Sequence, residues 1–364
     1  VKSVSNSQPA TLCDRFVACL LGGALGDALG YPIEFERSVE RIPKFEAGGP
    51  RDLFALGQGL VSDDTQLALF SAEALIRAKS AGADDPTPFA LGAYQRWLST
   101  QAMTAGKPLQ PRAGQGYLLM DARMFVRRAP GQTCLGALAA SQMRSGLPSV
   151  STPPNDSKGC GAVMRAAPFG LAATSRETAF ENSRDAAVLT HGHPSGYLSA
   201  AYLSALIFDV ARGVELPRAM LTADALLARE ADHEELAGRL AAARLAPHDA
   251  SSAELVALLG EGWVGEEALA LGLACALAAD RDHVAGALWR AVAHVGDSDS
   301  TGSIAGNLLG ARFGMQALPR AWLAQLELAD VLETVARELY AVTQEGKHAD
   351  ATRYPAITGR ASVP

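Results

Sequence analysis

Val295-Gly296-Asp297-Ser298-Asp299-Ser300-Thr301-Gly302, running on into Ser303-Ile304-Ala305-Gly306-Asn307-Leu308-Leu309-Gly310, is the stretch on which the reading of this chain turns. If the first part is extended, Asp297 and Asp299 project to the same side, because side chains two apart share a face. Ile304 and Leu308 then lie four apart, the spacing of a helix that begins near Gly302. Carboxylates flanked by hydroxyls are hard oxygen donors and suit Mg²⁺ or Mn²⁺ rather than zinc. Asp and Ser are also the commonest helix N-caps, so capping alone could account for one such motif.

A second cluster of the same kind, Val61-Ser62-Asp63-Asp64-Thr65, opens another helix. Residues 66 to 77 carry Leu67, Phe70, Ala74 and Leu75 close to a 3.6-residue period. Paired acids at a helix start are favoured by the dipole and by its free N–H groups. Capping does not explain why both helices open on two acids with flanking hydroxyls. Brought side by side, Asp63, Asp64, Asp297 and Asp299 would repel unless protonated or balanced by cations, and two divalent ions balance four charges.

Outward from these clusters the chain reads as helical. Apolar periodicity predicts further helices over 12 to 30, 89 to 98, 133 to 145, 176 to 190, 195 to 212, 218 to 244, 251 to 259, 265 to 279, 282 to 294 and 326 to 343. Alternating β patterns are scarce, so the expected fold class is all-α, a single compact multi-helix bundle over 11 to 345. Residues 1 to 10 form a polar arm and 346 to 364 a tail, while 36 to 60, rich in Gly, Pro and charge, reads as a long functional loop.

In the first helix Gly22, Gly26 and Gly30 make a small-residue stripe. Each interior glycine costs about 1 kcal/mol against alanine, so close approach of a backbone or ligand is the expected return. Thr11-Leu12-Cys13-Asp14 resembles a capping box with an acid at its fourth position. Asp27 sits on an otherwise apolar face, which predicts a buried acid satisfying backbone donors of a neighbouring loop. Glu34 follows a helix-ending proline, and taken alone it reads as a solvated loop carboxylate.

Of the 364 residues, 48% are hydrophobic and 20% charged, the balance of a globular chain. At 37.9 kDa it should bury about three quarters of its extended surface, ample for a core without staples. A net charge of −7 argues against a general nucleic-acid binder. Cys13, Cys19, Cys134, Cys160 and Cys275 are odd in number and lack a Cys-x-x-Cys, which points to a reduced, cytoplasmic protein. Residues 15 to 25 are apolar, but no run is expected to reach a membrane span.

Two further constellations stand out. Asn155-Asp156-Ser157-Lys158-Gly159-Cys160-Gly161 is a polar, glycine-bearing loop able to offer N–H groups to phosphate oxygens, or simply to connect two helices. Leu189-Thr190-His191-Gly192-His193-Pro194 places two histidines at a helix start, as caps, ligand contacts or structural groups.

Taken together, GDALGYPIEF at 26–35, VSDDT at 61–65, GCGAVMRA at 159–166, LTHGHPSGYLSA at 189–200 and GDSDSTGSIAG at 296–306 resemble the ADP-ribosylglycohydrolase family, and more closely its ADP-ribosylarginine hydrolase branch. The resemblance implies an all-α bundle with two Mg²⁺, or Mn²⁺, at the bottom of a cleft. By position it implies Ser62, Asp63, Asp64, Asp297, Asp299 and Ser300 as metal ligands. Many relatives carry threonine where Ser62 and Ser300 stand; serine at both places is similar to the arginine branch. Glu34 matches a loop glutamate near the scissile bond. Ser157, Gly159, Cys160 and Gly161 match the loop that holds the diphosphate and distal ribose, and His191 a histidine of the same cleft. Cys160 replaces the asparagine of some relatives, which implies contact through its backbone N–H.

The implied activity is hydrolysis of the N-glycosidic bond of ADP-ribosylarginine, on modified protein or a related ADP-ribose conjugate. Glu34, Asp64 and Asp299 are the candidates for handling the proton. Two alternatives stand beside it: hydrolysis of an O-linked, serine-type conjugate, and an immunity protein that blocks an ADP-ribosylating toxin through the 1 to 10 arm. Neither nucleic acid nor membrane is required.

Overall fold

A computed structural model describes residues 10–42, 59–104, 107–108 and 116–355. Within them the chain forms sixteen α-helices. The first half runs α1 (Leu12–Gly30), α2 (Asp63–Ser80), α3 (Thr87–Thr100), α4 (Tyr117–Met120), α5 (Gln132–Ser141), α6 (Ala167–Ala172), α7 (Arg176–Val188) and α8 (Pro194–Ala211). The second runs α9 (Leu216–Leu227), α10 (Glu234–Leu245), α11 (Ser252–Leu259), α12 (Gly265–Ala278), α13 (Val284–Val292), α14 (Ser298–Phe313), α15 (Arg320–Leu323) and α16 (Ala329–Thr343). The strand pairing among the described residues is one two-residue ladder, Met103–Thr104 against Lys107–Pro108, so the all-α expectation holds.

The bundle is built around α1, which is buried without interruption from Phe16 to Gly30. A helix apolar on every side belongs in the centre of a fold. Leu12–Ile33 also has the length and mean hydropathy, 1.5, of a membrane-spanning helix, contrary to the expectation that no run reaches it, and 89% of that window is buried by the rest of the chain. Thr11 caps α1 by accepting from Asp14 N at 3.1 Å, as predicted. The acid does not complete a capping box; Asp14 Oδ2 accepts from Met315 N at 3.1 Å and ties α1 to the end of α14.

The glycine stripe of α1 finds its counterpart in Gly302, Gly306 and Gly310 of α14. The two helices cross antiparallel, Gly22 against Gly306 and Gly26 against Gly302. A Cβ on Gly26 would lie 1.9 Å from the Gly302 carbonyl oxygen, so only glycine fits there. Asn307 seals the seam by donating to Cys19 O at 2.8 Å, and Ser298 Oγ donates to Gly30 O at 2.9 Å. This contact lays the C-terminal end of α1 beside the N-terminal end of α14.

Two expectations need correction. The helix predicted over 218 to 244 is two helices, α9 and α10, separated where Asp232 adopts φ 55°. Aspartate tolerates that left-handed conformation better than most residues, and a single one ends a helix. The segment at 297–299 is not extended: Asp297 is the N-cap of α14 and Asp299 lies in its first turn. Residues 1–9 of the arm and 43–58 of the long loop lie outside the described residues. Of the 346–364 stretch, the part up to Pro355 is described: Tyr354 is buried and donates to Glu338 Oε2 at 2.5 Å, and Arg77 donates to Pro355 O at 2.5 Å.

Candidate metal centre and ligand cleft

Three helix ends meet at one place: the C-terminus of α1 and the N-termini of α2 and α14. Asp27 makes the first link. Its carboxylate accepts from Ser62 N at 3.0 Å, Thr65 N at 3.1 Å and Thr65 Oγ1 at 2.5 Å, so α1 caps α2 from outside. This is the buried acid satisfying a neighbouring loop that the sequence predicts. Ser62 completes the cap by accepting from Asp64 N at 3.2 Å.

The cap leaves Asp63 and Asp64 on the wall of a cleft of about 450 Å³. Asp297 and Asp299 face them from α14, with Ser300 beside them. Glu34 joins from the turn after α1, and here the solvated reading fails: the side chain is buried. One carboxylate oxygen each from Glu34, Asp297 and Asp299 lie within 4.8 Å of one another. Ser62 is buried behind this wall and does not line the cleft, whereas Ser300 does.

So many acids in one dry place cannot all ionise unaided. Burial first, and then the charges of Asp297, Asp63 and Asp27, push Glu34 up to about 9, against a hydrogen bond from Asp299. Burial likewise raises Asp63 to about 8, although Gly131 N donates to it at 3.2 Å. Asp64 and Asp299 are raised well above the carboxylate range by burial and by neighbouring acids. Asp27 rises to about 6 because it is buried, restrained by its hydrogen bonds from Thr65 and Ser62.

The donor set fits divalent cations. Glu34 Oε2 and Asp64 Oδ2 are buried without a hydrogen-bond partner, an arrangement that is expensive unless a ligand completes it. All donors are oxygens, the preference of Mg²⁺ or Mn²⁺.

Gly159, Cys160, Gly161 and His191 line the same cleft. Gly159 pairs with Val264 in a single antiparallel bridge, and Cys160 N donates to Trp263 O at 3.4 Å. The Cys160 backbone N–H is therefore engaged within the protein. Its thiol instead donates to Asp297 Oδ2 at 2.6 Å. Ser157 stands outside the lining, with its hydroxyl 3.0 Å from that of Thr133, which lines the cleft. His191 is buried, and His193 is the capping histidine, its Nδ1 accepting from Ser195 N at 3.1 Å.

Sequence reasoning missed the floor near Arg127, Gly131 and Thr133 and the aromatic rim. Phe35, 67% exposed, stacks on Trp263, 41% exposed, with ring centroids 6.2 Å apart. Trp263 Nε1 donates to Glu261 Oε2 at 3.1 Å. A Pro130-Gly131 turn ahead of α5 was a readable signal for the floor. The rim had none.

A sequence model of the ADP-ribosylglycohydrolases matches residues 8–349. The chain belongs to the ADP-ribosylglycohydrolase family. Members of this family are metal-dependent hydrolases that release ADP-ribose from modified substrates. Among relatives, ADP-ribosylhydrolase ARH3 of Danio rerio is 25% identical over 365 residues, covering 91% of each chain. The ADP-ribosyl-dinitrogen reductase glycohydrolase of Rhodospirillum rubrum is 25% identical over 324 residues, covering 86% of this chain and 91% of that one. A solved structure described as an ADP-ribosylglycohydrolase-related protein complex superposes with a TM-score of 0.65 at 25% identity, covering 92% of this chain and 99% of the other.

Proposed function

We propose that this family member removes ADP-ribose from modified arginine side chains, using two Mg²⁺, or Mn²⁺, held by Ser62, Asp63, Asp64, Asp297, Asp299 and Ser300. The observation that carries the reading is the convergence of five buried carboxylates, two with orphaned oxygens, in one cleft with Gly159, Cys160 and Gly161. Bound divalent ions would supply Lewis-acid polarisation and charge balance there. The chain's own part is to orient the sugar between the acidic wall and the glycine wall, with His191 at its edge. Glu34, buried at the edge of the acidic cluster in the cleft, is a candidate to give a proton to the departing nitrogen. Asp64 and Asp299 are the other candidates for accepting or returning one. Ser62 also caps α2, accepting from Asp64 N at 3.2 Å.

Arginine is favoured over serine by the Phe35–Trp263 pair with Glu261 beside it. Two part-exposed aromatic side chains and a carboxylate suit a planar cation, worth about 0.5–2 kcal/mol. The deciding experiment compares release of ADP-ribose from arginine-linked and serine-linked peptides, with Mg²⁺ and with EDTA. Turnover of the serine conjugate alone would replace this linkage with the O-glycosidic one. The toxin-blocking alternative drew on residues 1 to 10, all but Ala10 outside the described residues, and the relatives above lend it no support. A cytoplasmic location is part of the proposal and fits five unpaired cysteines.

A further inference from the structure

Arg165 is 1% exposed, yet among the described residues it pairs with no carboxylate. Its guanidinium lies over the Tyr94 ring, 4.2 Å from the centroid. One nitrogen donates to Thr190 Oγ1 at 2.6 Å and another to Cys134 Sγ at 3.3 Å. Burying a cation without an ionic partner is costly, so its position requires a return.

Thr190 supplies the next step. A hydroxyl has one hydrogen and two lone pairs, and Arg165 takes one pair. The hydrogen has two acceptors to choose from: Ala187 O at 3.4 Å and His191 Nδ1 at 2.9 Å. Ala187 O already accepts the backbone N–H groups of Thr190 at 3.1 Å and His191 at 3.0 Å. The closer, otherwise unpaired Nδ1 takes the hydrogen. A neutral ring that accepts at Nδ1 carries its own proton on Nε2. That nitrogen has no protein partner among the described residues and faces the glycine wall: a Cβ on Gly159 or Gly161 would stand 3.4 or 3.2 Å from it.

We propose that Arg165, acting through Thr190, is a positioning residue that fixes His191 in its Nε2–H form and so presents a hydrogen-bond donor to an oxygen of the bound nucleotide. The direction of charge agrees: burial, and then the positive charge of Arg165, depress His191 to about 3, which keeps the ring neutral across the physiological range. With one Thr190 lone pair taken by the guanidinium, the opposite tautomer would use the other and send the hydroxyl hydrogen to Ala187 O, 3.4 Å away and already accepting two backbone N–H groups, which is the poorer arrangement. The relay itself stands on the distances; its role in recognition rests on the cleft being the ADP-ribose site.

The test uses the full chain with ¹⁵N-labelled histidine and long-range ¹H–¹⁵N spectra, the His191 signals being assigned by their loss in His191→Gln. Expected are an unprotonated Nδ1 and a protonated Nε2, unchanged from pH 5 to 8. Thr190→Val should abolish the single tautomer and weaken ADP-ribose binding roughly tenfold, and Thr190→Ser should restore both. Arg165→Lys should retain the tautomer if it folds. A wild-type His191 protonated on Nδ1, or exchanging between forms, overturns the relay whatever the hydrolysis assay reports. Loss of the tautomer in Thr190→Val with unchanged ADP-ribose affinity overturns the positioning role. A fixed Nε2–H in a protein that binds no ADP-ribose upholds the relay and overturns the functional reading of the cleft instead.

Discussion

Gly26 and Gly302 touch backbone to backbone, and through that contact the end of the first helix meets the start of the fourteenth. No Cβ can be inserted, since the one on Gly26 would sit 1.9 Å from the Gly302 carbonyl oxygen. Gly26→Ala should therefore destabilise the protein by about 3 kcal/mol or more, the upper end of overpacking. Gly92, on α3, has only Arg96 Nη1 within 4 Å of such a Cβ, at 3.6 Å. There the same substitution should gain up to ~1 kcal/mol from helix propensity. Urea unfolding of the two variants checks the contrast, and equal effects would refute it.

Burial first, and then the neighbouring acids Asp64, Asp297 and Glu34, raise Asp299 well above the carboxylate range. Asp299→Asn removes one of those repelling groups, so the metal-free variant should melt several degrees higher than wild type, ~1–2 kcal/mol of stability. The same change should reduce hydrolysis by more than ~100-fold, since even outer-shell partners of a metal cost 10–100-fold. Calorimetry should show weaker Mg²⁺ binding. A variant that is both less stable and fully active would remove Asp299 from the centre.

Stability without metal should depend on pH in a defined sense. Asp63 and Glu34 rise from ordinary values of 3.8 and 4.5 to about 8 and about 9, so between those limits the folded chain holds protons that the unfolded chain has released. Their contribution is complete below pH 4 and is lost as pH climbs through 8 to 9. His191 acts oppositely, falling from 6.5 to about 3, so its contribution is complete above 6.5 and lost as pH drops towards 3. Melting in EDTA should decline from about pH 7 to 9, and saturating Mg²⁺ should abolish that decline. A flat alkaline limb in EDTA would contradict the buried acid cluster.

Trp263 and Phe35 form an exposed aromatic rim at the mouth. Trp263→Leu should lower kcat/KM for arginine-linked peptide by roughly 3- to 30-fold, the range of a cation–π contact, while leaving the affinity for free ADP-ribose within about twofold. Parallel losses in both measurements would assign the rim to the nucleotide rather than to the acceptor side chain.

Local pattern carried the helices and some of the site. Asp27 was readable because an acid on an apolar face has to find donors, and it finds them at Ser62 and Thr65. The glycine stripe was readable from its cost. Glu34 was not, because a carboxylate after a proline looks solvated until residues from α2 and α14 close over it; only the resemblance to a known family placed it. Asp232 breaks a helix without Gly or Pro, leaving no mark in the pattern. The Phe35–Trp263 stack and the Arg165–Thr190–His191 chain depend on loop geometry and hydroxyl direction, which spacing does not encode.

The Ser298 hydroxyl grips the Gly30 carbonyl across 268 positions of chain. A ribosome making this protein places Asp64 early and must then add 233 residues (297 minus 64) before Asp297 exists. Until then Asp63 and Asp64 have no opposing pair. On the reading proposed above, a chain cut short before Asp297 lacks half of the acidic cluster and should release no ADP-ribose.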